Sequence, residues 1–304
     1  NKKSFIVGVS GGPDSMALNA LSKMYQYEKK AKVFFVLIDH GIRSNSRLES
    51  NLVKKLLSKR KIVLKIIRNK EKIKRNIQNK ARTVRYRLLT EYCKKKKIKF
   101  ILTGHHSDDQ IETFLIRLSR GSGIQGLSSM NKMTELDKKI KLVRPLLDFK
   151  KKDLIFIAKK VFGKFVKDPS NKNRKYLRTK IRHLKKELEK SGIHHDQIMR
   201  SINNLASTRD TLNNYLERVV TSCVIKKKSE TLINLKKLSL ESNEIKLKTL
   251  GYTIRDFSNT YYPPRSKKIL NVLKRLDSKR RVKLTLAGCF LEKSGDYLSI
   301  RREA

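Results

Sequence analysis

Phe5-Ile6-Val7-Gly8-Val9-Ser10-Gly11-Gly12-Pro13-Asp14-Ser15 is the stretch on which the reading of this 304-residue chain turns. The run from Phe5 to Val9 predicts a strand buried on both faces. Gly11 and Gly12 let the backbone turn tightly and bring amide groups close to a phosphate. A helix follows at once, and its start adds unpaired N–H groups and a positive dipole end. Ser10 and Ser15 carry hydroxyl donors, whereas Asp14 suits magnesium better than phosphate. The loop is not the GxxxxGK[ST] pattern. Taken alone it is a glycine turn with an Asp/Ser helix cap. The PxDS continuation between strand and helix favours a phosphate site.

Outward from this stretch, short apolar runs alternate with amphipathic helical patterns. Met16, Leu18, Leu21 and Tyr25 stripe the first helix, and Val33–Ile38 is a second strand. A helix marked by Leu48, Leu52, Val53, Leu56 and Leu57 leads to a third strand over Ile62–Ile67. Ile77, Ala81, Val84, Leu88 and Tyr92 repeat at helical spacing before a fourth strand at Phe100–Leu102. Ile111, Leu115 and Leu118 stripe a fourth helix, and Leu142–Leu147 reads as a fifth strand entering a helix near Lys151. The expected fold class is α/β, a Rossmann-like parallel sheet with helices on both faces. Ligands then bind beyond the carboxyl ends of the strands, which singles out the loops starting at Ser10, Asp39 and Thr103. The pattern becomes mainly helical from Asn173 to Cys223. It ends in strands around Val282–Leu286, Phe290-Leu291 and Tyr297–Ile300, with a turn at Ser294-Gly295-Asp296. Three regions are expected: a catalytic ATP-binding domain over 1–165, a helical extension over 166–224, and a small α+β domain over 225–304.

Composition narrows the class of partner. The formal net charge is +47, with 33% charged and 38% hydrophobic residues. Such a basic chain suits a polyanion such as nucleic acid, although an AT-rich coding bias toward Lys, Asn and Ile produces some of the same excess. Lys94–Lys97 and Lys226–Lys228 read as solvated helix ends or loops. No apolar run is long enough to span a bilayer, and Phe5–Val9 is too short for a signal-peptide core. A cytoplasmic protein without a membrane partner is therefore expected. Cys93, Cys223 and Cys289 are scattered and show no metal-ligand spacing, so they read as ordinary thiols.

Further segments carry chemistry in order along the chain: Asp39-His40-Gly41-Ile42-Arg43, Ala81-Arg82-Thr83-Val84-Arg85-Tyr86, Gly104-His105-His106-Ser107-Asp108-Asp109-Gln110-Ile111-Glu112-Thr113, Arg120–Leu127, Arg144-Pro145-Leu146-Leu147, and Asp168-Pro169-Ser170-Asn171 leading to Tyr176, Arg178, Ile181 and Arg182. Asp109 and Glu112 are three apart on a helix and share a face. Two carboxylates beside a phosphate site suit magnesium or the ammonium of a substrate. Arg82 and Arg85, also three apart, suit charge developing on a phosphate, or form a basic helix face. Asp108 sits where a helix cap belongs, and His105 and His106 are scaffold or ligands. Arg178 and Arg182 suit phosphate contacts.

Ser10–Ser15 resembles the PP-loop of the N-type ATP pyrophosphatases, which cleave ATP to AMP and pyrophosphate while adenylating an acceptor. The ordered segments over residues 4–185 resemble the tRNA(Ile)-lysidine synthetase family within that superfamily. The resemblance implies a carbon–nitrogen ligase using ATP and Mg2+. Its partners are L-lysine and a tRNA(Ile) with a CAU anticodon, and a homodimer is among the assemblies it implies. It implies Ser10, Gly11, Gly12, Pro13, Asp14 and Ser15 as the nucleotide cradle. Asp14, Arg82, Arg85, Asp109 and Glu112 follow as catalytic residues, with Asp14 and Asp109 toward the metal. The region after residue 225 resembles the family's small tRNA-binding domain only loosely, and longer members carry a further C-terminal domain. The rivals are a PP-loop tRNA thiolase, which uses reactive or cluster-holding cysteines, and a non-catalytic basic RNA-binding protein on the same fold. An amidotransferase-coupled synthetase fits less well, because no glutaminase domain is present.

Overall fold

The computed structural model describes residues 4–42, 45–71, 73, 77–137, 139–166, 177–260, 263–278 and 281–303. The chain forms two compact units, 1–206 and 207–304. The first contains β1 (Ser4–Val9), α1 (Pro13–Lys29), β2 (Lys32–Asp39), α2 (Ser46–Ser58), β3 (Leu64–Arg68), α3 (Ile77–Lys96), β4 (Phe100–Leu102), α4 (Ser107–Leu118), α5 (Ile124–Leu127), β5 (Met133–Asp137), β6 (Ile140–Val143), α6 (Lys151–Phe162) and α7 (Leu177–Lys190). Helix α8 (His195–Cys223) runs on into the second unit, which adds β7 (Val224–Lys226), β8 (Glu230–Asn234), α9 (Leu235–Ser239), α10 (Asn243–Ser258), α11 (Ser266–Ser278), β9 (Val282–Leu286), β10 (Cys289–Ser294) and β11 (Tyr297–Arg302).

The first sheet has six strands in the order β3-β2-β1-β4-β6-β5. All neighbours pair in parallel except β5, which pairs antiparallel with β6. Alternation along the strands divides the core in two, because successive side chains point to opposite faces. Phe5, Val7 and Val9 of β1 pack with Phe35 and Leu37 of β2 against Met16 and Leu18 of α1, Leu57 of α2 and Leu154 of α6. Ile6 and Val36 face the other way, toward Leu89 and Cys93 of α3 and Leu142 of β6. The expected parallel sheet with helices on both faces is thus the observed fold.

One strand differs from the sequence reading. The apolar run Leu142–Leu147 is not all strand: β6 ends at Val143. Pro145 has no N–H to give to a ladder, and Leu146 and Leu147 are instead buried as core residues in the turns before α6. The antiparallel partner β5 was not foreseen. Its sequence, Met-Thr-Glu-Leu-Asp, is partly exposed and carries little apolar signal.

The order of strands reverses at β1: β2 lies on one side of it and β4 on the other. Connections from β1 and β4 therefore diverge, and a crevice opens beyond their carboxyl ends. In the second unit β7-β8-β11-β10-β9 form an antiparallel sheet, with α10 and α11 over a core that includes Ile233, Leu250, Ile254, Ile269, Leu291 and Ile300. The β10–β11 hairpin turns at Gly295-Asp296, as the sequence indicated. No helix among the described residues is long and apolar enough to cross a membrane.

Candidate active site

The loop after β1 is built as an anion cradle. Val9 pairs with Leu37 of β2, and the chain then turns through Gly11 at φ 81°, a conformation that favours glycine. A Cβ on Gly11 would also lie 2.6 Å from Val53 Cγ2. The Ser10 amide donates to Ser15 Oγ at 2.9 Å, closing the loop on itself. Gly12 is the N-cap of α1 and supplies no side-chain acceptor, with Pro13 at the first helical position and Asp14 in the first turn. The first amides of α1 are thus left uncapped by any side chain.

The loop after β4 meets this cradle directly. A Cβ on Gly104 would sit 2.9 Å from the Asp14 carbonyl oxygen and 3.1 Å from the Ser15 amide nitrogen. Glycine is needed here for close approach rather than for an unusual dihedral angle. Two residues on, His106 is the N-cap of α4, and its own amide donates to Asp109 Oδ2 at 3.1 Å in a capping box. The capping role that the sequence placed on Asp108 thus falls to His106 and Asp109. Ser107 anchors the same turn: its Oγ donates to the Phe149 carbonyl at 2.8 Å and lies 3.1 Å from His195 Nε2 of α8.

The predicted acids converge. His106 Nε2 lies 3.5 Å from Asp14 Oδ2 and 3.6 Å from Asp109 Oδ2. Its Nδ1 faces both the Asp108 amide, at 3.2 Å, and the Asp108 carboxylate, at 3.6 Å. Burial works to lower the His106 pKa, but bonding to Asp108 and Asp14 and the charge of Asp109 outweigh it and raise it to about 9. Nδ1 accepts the Asp108 amide only when it carries no proton, so Nε2 holds a proton in either state. Burial likewise opposes ionisation of Asp108, yet His106, Lys185 and the Lys151 amide hold its carboxyl well below the usual range. Glu112 is buried and pairs with Arg182 of α7, with Nε at 2.5 Å from Oε1 and Nη2 at 3.4 Å from Oε2.

The predicted cations belong to the same crevice. Burial lowers the His105 pKa to about 4; Asp109 opposes this, and Arg144, Arg82 and Arg178 add to it. His105 Nδ1 lies 2.9 Å from Thr103 Oγ1. His40, directly after β2, is lowered to about 4 by burial and by Arg85. The fields of Arg82, Arg85 and Arg178 thus reach the loops after β2 and β4. Arg85 keeps exposed surface; lost hydration works to lower its pKa, with Tyr86 opposing and Arg82 adding to it. Arg82 stacks its guanidinium over the Tyr86 ring at 5.1 Å. Arg120–Leu127 is organised locally by Arg117, which donates to the carbonyls of Gly126 and Ser129. Arg43 and the segment Asp168–Tyr176 lie outside the described residues.

The residues fit a magnesium ion that arrives with a nucleotide. Asp14 Oδ1 is buried without a hydrogen-bond partner, an arrangement that asks for a ligand. Among the described residues no group of three or more His, Cys, Asp or Glu side chains is arranged around a cation position. Magnesium commonly takes one or two carboxylates and completes its shell with phosphate oxygens and water, which Asp14 and Asp109 allow. Sequence reasoning gave no role to His40, Arg144 or Lys185. The spacing of Arg178, Arg182 and Lys185 along one face of α7 is the signal that would have found the last.

A parallel α/β sheet carrying a glycine cradle, a carboxylate cluster and flanking arginines at its switch point defines an ATP-binding enzyme domain of the PP-loop class, and residues 1–188 match the PP-loop domain family. A tRNA(Ile)-lysidine synthase from Wolbachia pipientis wMel is 36% identical over 307 residues, covering 98% of this chain and 70% of that protein. One from Orientia tsutsugamushi (strain Boryong) is 33% identical, covering 98% and 69%. The chain belongs to the tRNA(Ile)-lysidine synthase family. Its fold is also similar to the U34-tRNA thiolase NcsA from Methanococcus maripaludis with its [4Fe-4S] cluster (TM-score 0.57, 20% identity, 68% of this chain and 72% of that one). The cysteines differ from what a cluster requires: Cys93 is buried in the core of the first unit, and Cys223 and Cys289 in that of the second. Burial pushes the Cys93 thiol up to about 12, the opposite of an activated thiolate.

Proposed function

We propose that this protein is a carbon–nitrogen ligase that attaches L-lysine to the wobble cytidine of a tRNA(Ile) with a CAU anticodon. ATP first adenylates the 2-carbonyl oxygen of the cytosine: that oxygen bonds to the α-phosphorus and pyrophosphate leaves. An amine of lysine then attacks C2, the C–O bond breaks, AMP departs and the attacking nitrogen loses a proton. The carbonyl is a poor electrophile until its oxygen becomes part of a good leaving group. The observation that carries the reading is the meeting of the Ser10–Ser15 cradle with the α4 acids at Gly104, within reach of Arg82 and Arg178.

Roles follow from position. Ser10, Gly11, Gly12, Pro13 and Ser15 hold the phosphates, and Asp14 with Asp109 would hold a magnesium ion, which would supply charge neutralisation for the departing pyrophosphate. Arg82 and Arg85 stabilise phosphate charge. Asp109 and Glu112 face the attacking amine, and a carboxylate there takes its proton. The second unit, with the extension before it, is assigned to tRNA binding. Dimer formation is checked by sedimentation alongside activity.

The test is incorporation of radiolabelled L-lysine into tRNA(Ile) bearing a CAU anticodon, with ATP and magnesium, against an Asp14→Ala control. Transfer that requires ATP and vanishes in the control is expected. Pyrophosphate release without lysine transfer points to another nucleophile, such as the sulfur of a thiolase reaction. Tight tRNA binding with neither signal points to a passive RNA-binding protein.

A further inference from the structure

Resting on that functional reading, we infer that His195 is a positioning residue for lysine transfer: it fixes Ser107 and, through Ser107, the turn of α4 that presents Asp109. Three helices begin close together here, α4 after His106, α6 after Lys150 and α8 at His195. A closed circuit of contacts joins them. Ser107 donates both its amide, at 3.1 Å, and its hydroxyl, at 2.8 Å, to the Phe149 carbonyl. The next residue, Lys150, reaches Asp196, with Nζ 2.9 Å from Oδ1. Asp196 Oδ1 lies 3.1 Å from Nδ1 of the neighbouring His195, whose Nε2 returns to Ser107 Oγ at 3.1 Å. A second tie between α6 and α4 runs from the Lys151 amide to Asp108 Oδ2 at 3.2 Å. Beside the circuit, Ile198 and Ile202 of α8 pack with Ile111 of α4. All of these residues belong to the first compact unit.

Hydrogen-bond directions decide what the circuit does. Ser107 Oγ has one hydrogen, and the Phe149 carbonyl takes it, so toward His195 the oxygen accepts and Nε2 donates. Ser107, His195 and Asp196 have the connectivity of a nucleophilic triad, yet the hydroxyl is not free to attack: Ser107 is 1% exposed and its hydrogen is given to a backbone carbonyl. The set holds rather than reacts. Ser107 is the first residue of α4 and stands between His106, whose amide donates to Asp109 Oδ2, and Asp109 itself. A displacement of Ser107 therefore reaches both ends of that capping box. Asp109 is the acid assigned above to magnesium and to the attacking amine, and a small misplacement of such a group is costly in rate. Apolar packing at Ile198 and Ile202 brings α8 to α4 but has no direction of its own. The bond from His195 supplies the direction. The His195 side chain is 15% exposed and that of Asp196 69% exposed, so Asp196, held by Lys150, orients the ring from the solvent side.

The experiment measures kcat for ATP-dependent lysine transfer, the KM for tRNA and the urea midpoint in the full chain and in His195→Asn, His195→Gln, Ser107→Ala, Asp196→Ala and the double variant Ser107→Ala with His195→Asn. The Gln amide nitrogen falls near the place of Nε2 and restores a donor to Ser107, whereas the Asn amide is too short to reach it. His195→Asn is expected to lower kcat about tenfold, the scale of one lost directed hydrogen bond, with the KM for tRNA unchanged. His195→Gln should return kcat to within about twofold of wild type. In the Ser107→Ala background, His195→Asn should change kcat by less than about twofold, because the bond it removes is already gone. Asp196→Ala alters an exposed side chain that folding does not need, and should still lower kcat about threefold by loosening the ring. Equal kcat in His195→Asn and His195→Gln, or losses at His195 and Ser107 that simply multiply, overturns the inference and leaves the functional reading standing. If His195→Asn shifts the urea midpoint, Asp196→Ala decides: an unchanged kcat there overturns the inference. Absence of lysine transfer by the wild type overturns the functional reading and this inference with it.

Discussion

His105 and His106 are adjacent in sequence, and their pKa values are shifted in opposite directions. Burial holds His105 to about 4 against the pull of Asp109, whereas at His106 bonding to Asp108 and Asp14 and the charge of Asp109 outweigh burial and raise it to about 9. His40 shares the low value for a related reason, burial beside Arg85. For His40 and His105 the folded pKa lies below the ordinary 6.5. Between about 4 and 6.5 the unfolded chain therefore binds more protons, and stability falls as pH drops through that window. Each ring contributes at most about 3 kcal/mol, less whatever solvent contact it keeps. His106 has the opposite sign: its contribution is full below 6.5 and is lost as pH rises through about 9. Urea unfolding followed from pH 4.5 to 9 should show stability declining on both sides of neutrality. His40→Gln should flatten the acid limb without altering the alkaline one. A wild-type stability that is level from 4.5 to 6.5 would count against neutral His40 and His105.

At the scale of elements, the site depends on how closely two loops approach. Gly104→Ala places a methyl group 2.9 Å from the Asp14 carbonyl, a backbone atom that moves only with the cradle. The expected cost is about 1–3 kcal/mol in unfolding free energy, with a larger proportional loss of ATP affinity by equilibrium binding. Gly123→Ala, where nothing lies within 4 Å, should change stability by less than about 0.5 kcal/mol. Equal effects at the two positions would remove close approach as the explanation. The strands, the helices and the cradle were legible in the sequence because buried parallel strands are continuous apolar runs and a glycine loop between strand and helix has few other uses. Motif order also pointed to Asp14 and Asp109, which approach the same His106 ring. What was not legible depends on tertiary partners. Arg182 reads as a phosphate ligand by spacing, yet it pairs with Glu112, 70 positions away. Similarly, β5 becomes a strand because β6 offers it an edge, not because its own residues demand it. The strands β7 and β8 are short and were missed for the same reason.

The whole molecule poses a question that neither residues nor elements answer: how much of the +47 net charge serves RNA. Coding bias and selection for binding both enrich lysine, and they differ in where function should respond. In the second unit Lys226, Lys228 and Lys236 are exposed, and they project from the β7–β8 hairpin and from α9. Lysines that touch phosphate release counterions on binding, so each contributes about 0.7–0.9 to the slope of log affinity against log salt concentration. Replacing all three with Gln should therefore lower the magnitude of that slope for tRNA by about 2. Lysine transfer at saturating tRNA should be preserved, because these residues lie in a different compact unit from the cradle and the acids. The expected phenotype is a rise in the KM for tRNA that grows with salt, at constant kcat. An unchanged slope would assign these lysines to composition rather than to binding, and would leave the arginines around the crevice, which pair with named carboxylates or shift named histidines, as the cations whose positions are tied to function.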